Sequence, residues 1–538
     1  MYHRVTGRTI GRGAPTILLA ALLATGCGFQ RQIERGLNRP DQWLTYSGDY
    51  TGRRHSPLTG ITRVNVPALR EAWTFSVGDL APLEATPLLY ENTLYFTAAL
   101  NVAFAIDART GRQIWRYDRQ LPDALNLCCN ASNRGLAIRG DRLFMETLDA
   151  HLIALDRHTG AVVFDVPMAD VADGYSGNTA PLVVGDLVIA GISGGEFMAR
   201  GFIDAYDADT GERRWRFWTV PESGQRGGNT WPRVNAVRAG GPTWLTGTYD
   251  PALHLIYWGV GNPSPPLDGS GRAGDNLFTN AIVALDATTG TLRWFYQFSP
   301  HDTHDWDSNQ IPVLADLTIG GRVRHVVMLA NRNGFFYVLD RATGERLVAK
   351  PFVHTTWATD VDAEGRPIPL PLPATPDGGT LVCPDDAGGT NFMSPSFDPE
   401  RSLFFVTARE GCGVFYTNPV GTVTRGARTM GGIAAGSDEP HYGALRAIDA
   451  RTGEMRWQVR YANPGWTGVL STAGGLVFTS DDRDRFMAID AGNGRVLWDA
   501  HVGENIHASP MTYAIDGRQY VILPSFTKLM AFALPAAR

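Results

Sequence analysis

A nine-residue pattern recurs seven times in this 538-residue chain: Asp-x-x-x-Gly, then three residues and a closing hydrophobic residue that is most often tryptophan. It reads DARTGRQIW at 107–115, DRHTGAVVF at 156–164, DADTGERRW at 207–215 and DATTGTLRW at 286–294. DRATGERLV at 340–348, DARTGEMRW at 449–457 and DAGNGRVLW at 490–498 complete the series. Aspartate and threonine oxygens cap the amides of a tight turn, and glycine accepts the positive φ that such a hairpin needs. Each copy is therefore strand, turn, strand. A unit of a few short strands cannot bury its own faces, so the units must stack on one another. A tryptophan at a fixed offset from the turn is a packing residue between neighbours, not a ligand contact.

Successive aspartates lie 49, 51, 79, 54, 109 and 41 residues apart. The 79-residue interval leaves room for a long insertion at about 218–243. The 109-residue interval has room for two units, one with an eroded turn, with SLFFVTA from Ser402 as a strand of the missing one. An opening unit carries Trp73, and KLMAFAL from Lys528 is placed to close a ring against it. Closure removes free sheet edges. The expectation is an all-β, eight-bladed β-propeller with tryptophan-docking repeats over 61–538, preceded by an irregular arm over 27–60 that includes WLTYSGDYTGRRHSPL. With 60 glycines, 33 prolines, 14 tryptophans and only 19% charged residues, the composition favours short strands over helical bundles.

The first residues read as a processing signal. Arg4, Arg8 and Arg12 precede an apolar run at 15–23, and Ala24, Thr25 and Gly26 lead to Cys27. This predicts a signal peptide over 1–26, with Cys27 placed for lipid attachment; ordinary cleavage is the alternative. No later apolar run is long enough to span a bilayer. The formal net charge is −6 and no basic run follows residue 30, which argues against nucleic acid as a partner. Export permits disulfides. Four further cysteines remain, Cys128, Cys129, Cys383 and Cys412. The adjacent pair either bonds to itself, leaving Cys383 for Cys412, or stands as two free thiols.

SPHDTHDWD, at 299–307, packs Asp302, Asp305 and Asp307 between two histidines and a tryptophan. Acids at this density are costly to bury unless they hold a cation or carry protons. The bland alternative is a solvated acidic loop.

Several segments together resemble the pyrroloquinoline-quinone-dependent alcohol dehydrogenases: CCNASNRG from Cys128, LEATPL around Glu84, GISGGEFMARG, GPTWLTGTYDP, YWGVGNPSP, PHDTHDWD, ANRNGFFYVLD and GGTNF. The resemblance runs from Trp43 nearly to the C-terminus. It implies a Cys128–Cys129 disulfide against one quinone face, a second Cys383–Cys412 disulfide, Arg134 on the quinone oxygens and Glu84 on the cofactor. Ser193, Gly194 and Gly195 match the loop that approaches the quinone, and Trp244 the indole that stacks on it. Arg332, Asn391 and Trp466 match further cofactor-pocket residues. Glu196, Asn262, Asp305 and Asp307 match metal ligands, with Asp305 also the catalytic base and Asp307 the extra carboxylate of lanthanide-using members. The chain departs from the family pattern at Asn178, His304 and Phe392, which stand where threonine, an aromatic residue and tryptophan are usual.

The residue types suit that chemistry. A flat quinone is matched by an indole plate and its carboxylates by arginines. Calcium or a lanthanide ion is matched by carboxylate and amide oxygens. The implied function is a periplasmic oxidoreductase that oxidises a small alcohol to an aldehyde or ketone by hydride transfer to metal-bound pyrroloquinoline quinone. Its electrons would pass to a cytochrome c, and an N-terminal lipid would attach it to a membrane. No Cys-x-x-Cys-His is present for covalent haem. Two rivals follow from the same repeats. One is a non-enzymatic propeller lipoprotein scaffold of the outer-membrane assembly type, which needs neither the adjacent cysteines nor the acid cluster. The other is a relative that keeps the shell and has lost the cofactor.

Overall fold

The computed structural model describes residues 39, 42–123, 125, 127–233 and 238–535. The expected signal peptide at 1–26 and Cys27 lie outside them. The described chain is all-β, with helical structure confined to three-residue 3-10 turns. No helix among the described residues is long and apolar enough to cross a membrane. Along the chain come seven four-stranded sheets and one five-stranded sheet whose extra strand, His55–Ser56, adds in parallel to Leu470–Thr472. Arg70–Ser76 pairs with Lys528–Ala533, so the first long strand and the last share a sheet. The expected closure is present.

Each Asp-x-x-x-Gly segment forms the turn its residues dictate. The Asp156 carboxylate accepts from the amides of His158 and Thr159 and from the Thr159 hydroxyl at 2.9–3.0 Å. Gly160 then donates back to the Asp156 carbonyl at φ +74°. The turn also has a packing role. The Trp115 ring lies on Gly160, Trp215 on Gly290, Trp294 on Gly344 and Trp457 on Gly494. The indole N–H of Trp115 donates to the Arg157 carbonyl, and Trp215, Trp294 and Trp457 make the equivalent bond to Ala287, Arg341 and Ala491. Where the pattern ends in Phe164 or Val348, those side chains cover Gly211 and Gly453 instead.

One expectation is corrected. The 109-residue interval holds one unit, not two. Leu403–Glu410, the strand attributed to a missing unit, pairs with Tyr442–Asp449 in the sheet that contains the Asp449 turn. The surplus residues pair among themselves: Ala358–Val361 with Pro367–Pro369, and Gly413–Thr417 with both Thr380–Val382 and Gly432–Gly436. Spacing reports chain length, and only strand pairing separates a unit from an insertion.

The segment 43–56 crosses the first strands of the successive sheets. Trp43 bridges Leu89, and Leu44 shares an apolar cluster with Ile138. The Tyr50 hydroxyl donates to Val183, and the Tyr50 carbonyl accepts from Tyr249. Thr51, Arg53 and Arg54 accept through their carbonyls from Leu314, Phe397 and Ser471. A strand of this kind, irregular in sequence yet nearly wholly buried, satisfies its backbone from all sides.

The stacking of ring on glycine predicts a graded cost. Alanine at Gly290 would place its Cβ 2.5 Å from the Trp215 ring, whereas at Gly320, also at positive φ, it meets nothing within 4 Å. Gly290→Ala is expected to destabilise by about 1–3 kcal/mol more than Gly320→Ala, read from denaturant or thermal unfolding.

Candidate active site

The loop 299–307 folds on itself through Asp302, whose carboxylate accepts from the amides of His304 and Trp306. Trp306 is buried in a small apolar cluster with Leu267, Val382 and Phe415, and its indole donates to the Asp385 carbonyl at 2.8 Å. His304 stacks on it at 4.4 Å. With Trp306 anchored and Asp305 at φ 62°, a conformation rare for a side chain other than glycine, Asp305 and Asp307 turn into a cavity. Asp302 shapes the loop and does not line that cavity.

The cavity has a volume of about 290 Å³. Most of the residues singled out from the sequence line it: Glu84, Cys128, Cys129, Arg134, Ser193, Gly194, Glu196, Trp244, Asp305, Asp307, Arg332, Asn391 and Trp466. Asn178 and Phe392, the departures from the family pattern, line it too. Gly195 and Asn262 stand one layer back. Gly195 lies against Pro242, and Asn262 reaches the site through its backbone N–H, which donates to Asp307 Oδ1 at 2.8 Å. Cys128 and Cys129 are disulfide-bonded to each other, and Cys383 is bonded to Cys412. Asn130, Ser176, Pro242, Asp386 and Ala387 also line the cavity and were not read from the sequence. Asp386 acts through its backbone carbonyl, which accepts from Arg332 Nη2. A carbonyl carries no residue-type signal, so no pattern would have found it.

Charge dominates the deep end. Arg332 Nη1 lies 2.9 Å from Asp307 Oδ2 and Nη2 lies 3.7 Å from Asp305 Oδ2. The Trp244 indole donates to the same Asp307 oxygen at 3.0 Å. Burial pushes Asp305 well above the ordinary carboxylate range; Arg332 opposes this, while Asp307, Glu196 and Asp302 add to it. Burial raises Asp307, partly offset by Arg332 and the Asn262 and Trp244 N–H groups. Burial, then Asp307, raises Glu196. Burial works against the Arg332 charge, yet Asp307 and Asp305 outweigh it and hold Arg332 above its usual value.

At the other end Glu84 accepts from Asn130 and Ser132 and pairs with Arg134 Nη2 at 3.0 Å. Arg134 lies 5.0 Å over the Trp244 ring and 5.5 Å over Phe392, which stacks on Trp466 at an interplanar angle of 7°. Arg409 covers Trp466 at 4.1 Å. This buried arginine was also missed from the sequence, because nothing local marks it.

These residues suit a flat, carboxylate-bearing cofactor and a hard cation. Asn262 Oδ1 and Asp305 Oδ1 are buried without a hydrogen-bond partner, as are Nε and Nη1 of Arg134. Unpaired buried oxygens beside several acids are cation-seeking, and unpaired guanidinium donors are anion-seeking. Among the described residues no three acidic, histidine or cysteine side chains converge on one point. Asp305 and Asp307 face the Arg332 guanidinium instead.

Comparison with known proteins points the same way. Residues 43–356 and 354–521 match the family model described as the β-propeller domain of glucose, ethanol and alcohol dehydrogenases that use PQQ. The chain is 36% identical to the quinoprotein alcohol dehydrogenase PedH of Pseudomonas putida, over 95% of this chain and 91% of that one. It is 36% identical to the lanthanide-dependent methanol dehydrogenase of Methylacidiphilum fumariolicum, over 90% of this chain and 85% of that one. A solved europium-containing methanol dehydrogenase superposes with a TM-score of 0.89 at 32% identity, covering 94% of this chain and all of the other.

The raised acids carry a pH signature. These three acids keep protons in the folded protein that the unfolded chain has lost, so their own contribution to the stability of the cofactor-free protein is lost as pH rises from about 4 toward neutrality. Glu196→Gln removes one such acid. It is expected to raise the melting temperature of the cofactor-free protein at pH 7–8 and to flatten this dependence, read by thermal unfolding across pH.

Proposed function

The chain belongs to the pyrroloquinoline-quinone (PQQ)-dependent alcohol dehydrogenases, and from that premise we propose that Asp305 takes the hydroxyl proton as a small alcohol is oxidised to an aldehyde or ketone. The observation that carries this reading is the Asp305 carboxylate itself, turned into the cavity with one oxygen unpartnered and the other facing Arg332. When bound, the quinone supplies a two-electron hydride acceptor, and its calcium or lanthanide ion a Lewis acid.

The work of the chain's own residues divides by position. Glu196, Asn262, Asp305 and Asp307 hold the cation; the unpartnered amide oxygen of Asn262 and the buried acids support this. Trp244, the Cys128–Cys129 disulfide, Arg134, Glu84, Asn391 and Trp466 would hold the quinone, with Ser193 and Gly194 in the cavity wall and Gly195 one layer behind them. Ser193 is fixed by the bond of its hydroxyl to Asn178 Oδ1 at 3.0 Å. Arg332 offsets the repulsion between Asp305 and Asp307 and favours the ionised Asp305 that a base requires. Asp307 adds the negative charge that suits a trivalent ion.

The wider reading has three parts. The sheets form eight blades over 61–538 docked by the recurrent tryptophans, supported by the sheet series and the indole-on-glycine contacts, with 27–60 as the arm. The protein works in the periplasm, exported by residues 1–26 and held to a membrane through lipid on Cys27. Its electrons pass to a cytochrome c. Chain identity to enzymes along nearly the whole length favours this over a scaffold role.

Reconstitution tests the core of the proposal. Protein lacking residues 1–27 is loaded with PQQ and calcium, or with PQQ and lanthanum, and dye-linked alcohol oxidation is measured. Turnover is expected, and Asp305→Asn should lower kcat by at least about a hundredfold. Absence of bound quinone and of turnover with either ion would reject the reading. Asp307→Ala should move the metal preference from lanthanum toward calcium, measured as the ratio of activities with the two ions.

A further inference from the structure

The arm 43–56 carries an arginine with an unusual environment. Arg54 is fully buried and has no carboxylate partner among the described residues. Its Nη1 donates to the Pro510 carbonyl at 3.0 Å, and its Nη2 to the Tyr46 carbonyl and the Thr86 hydroxyl, both at 2.7 Å. Its Nε has no partner. The guanidinium carbon lies 5.2 Å from the Tyr46 ring centre and 5.8 Å from that of Trp43. Burial pulls its pKa down to about 10, still charged at neutral pH. A charge buried this deeply is costly unless its surroundings need it. What it does here is tie three separate pieces of chain: the arm, the 510 region and the segment before the strand Leu88–Tyr90.

Tyr46, whose carbonyl accepts from this arginine and whose ring lies beside it, belongs to a small apolar cluster with Ala180, Leu245 and Ile311. Against that cluster pack two residues that line the cavity, Trp244 and Phe392. Trp244 in turn donates its indole N–H to Asp307. The sequence therefore runs from Arg54 to Tyr46, to the aromatic wall, to the acids. Tyr46 itself does not line the cavity.

We propose that Tyr46, fixed by Arg54, is a positioning residue for the Trp244–Phe392 wall of the cofactor cavity, so that the N-terminal arm is part of the quinone site and not only a strap across the sheets. This rests on the reading of the cavity as the PQQ site. The physical basis is that an indole packed on one face by a fixed bed presents its other face in one orientation, and the ordering cost is met at folding instead of at binding. An indole over a collapsed bed must be ordered by the ligand.

The test uses cofactor-free protein lacking residues 1–27, as wild type, Tyr46→Phe, Tyr46→Ala and Tyr46→Leu. Each is titrated with PQQ in saturating calcium. Binding is followed by quenching of tryptophan fluorescence, and the absorbance spectrum of the bound quinone is recorded. Thermal unfolding of each cofactor-free variant runs alongside. The wild-type titration tests the cofactor reading by itself: no quenching there rejects that reading, whatever the variants do. Given wild-type binding, Tyr46→Ala should raise the Kd about three- to tenfold, the scale of a loosened apolar bed, and alter the bound-quinone spectrum. Tyr46→Phe should restore both, since the ring carries the effect. If Tyr46→Ala does not fold, Tyr46→Leu takes its place with the same expectation. A wild-type Kd and spectrum in the folded aliphatic variant, or equal losses in the phenylalanine and aliphatic variants, would overturn the proposal. A lowered melting temperature with unchanged Kd and spectrum would likewise assign Tyr46 to stability alone.

Discussion

Three carboxylates and one guanidinium share the buried end of a cavity, and the surrounding architecture is arranged to hold them there. Asp305, Asp307 and Glu196 are each raised by burial, and Arg332 is their nearest compensating charge. Left to relax, such acids would protonate or move to water. They stay because each is held by backbone or by a neighbour that cannot follow. Asp307 accepts from the Asn262 amide and the Trp244 indole, and Asp305 sits on a backbone turned to positive φ by the anchored Trp306 beside it. The site is thus a strained electrostatic arrangement maintained by the surrounding frame.

The insertions supply much of that frame. The Cys383–Cys412 disulfide ties the 383–389 segment to the start of Gly413–Thr417. Two carbonyls of the segment are put to use: Asp385 receives the Trp306 indole and Asp386 receives Arg332. The residues that the repeat pattern treats as surplus therefore bear directly on the 299–307 loop and on Arg332. From the other side the arm does comparable work, through Tyr46 and the cluster under Trp244. The repeat units contribute the scaffold, and the non-repeating segments contribute the chemistry, as expected where function is grafted on a recurrent fold.

Much of this was legible before any coordinates. The Asp-x-x-x-Gly turn is a local device, complete within five residues, so the sequence alone determined that the chain is built of stacked hairpin units. The adjacent cysteines and the Asp305 loop were legible because side-chain type is itself the signal, whereas Glu84, Arg134 and Trp244 were marked only by the resemblance of their segments to a family. The number of units in the 109-residue interval was not. Leu403–Glu410 reads equally well as a strand of an extra unit or of the Asp449 unit, because pairing partners are chosen across distance and leave no local mark.

The sequence by itself determined the class of the fold and the kinds of groups available to the site: acids, arginines, an indole plate and a vicinal cysteine pair. Only the tertiary structure decided which acids face the cavity and which shape the loop. Asp302 and Asp305 are the same residue type three positions apart, yet one caps backbone amides and the other meets Arg332. It alone also decided that Tyr46 and Arg409 belong behind the cavity walls and that Asp386 contributes a carbonyl instead of a carboxylate. The reason is common to all three. Local residue chemistry can be read from one stretch of chain, but direction, burial and backbone contribution arise only when distant stretches are brought together.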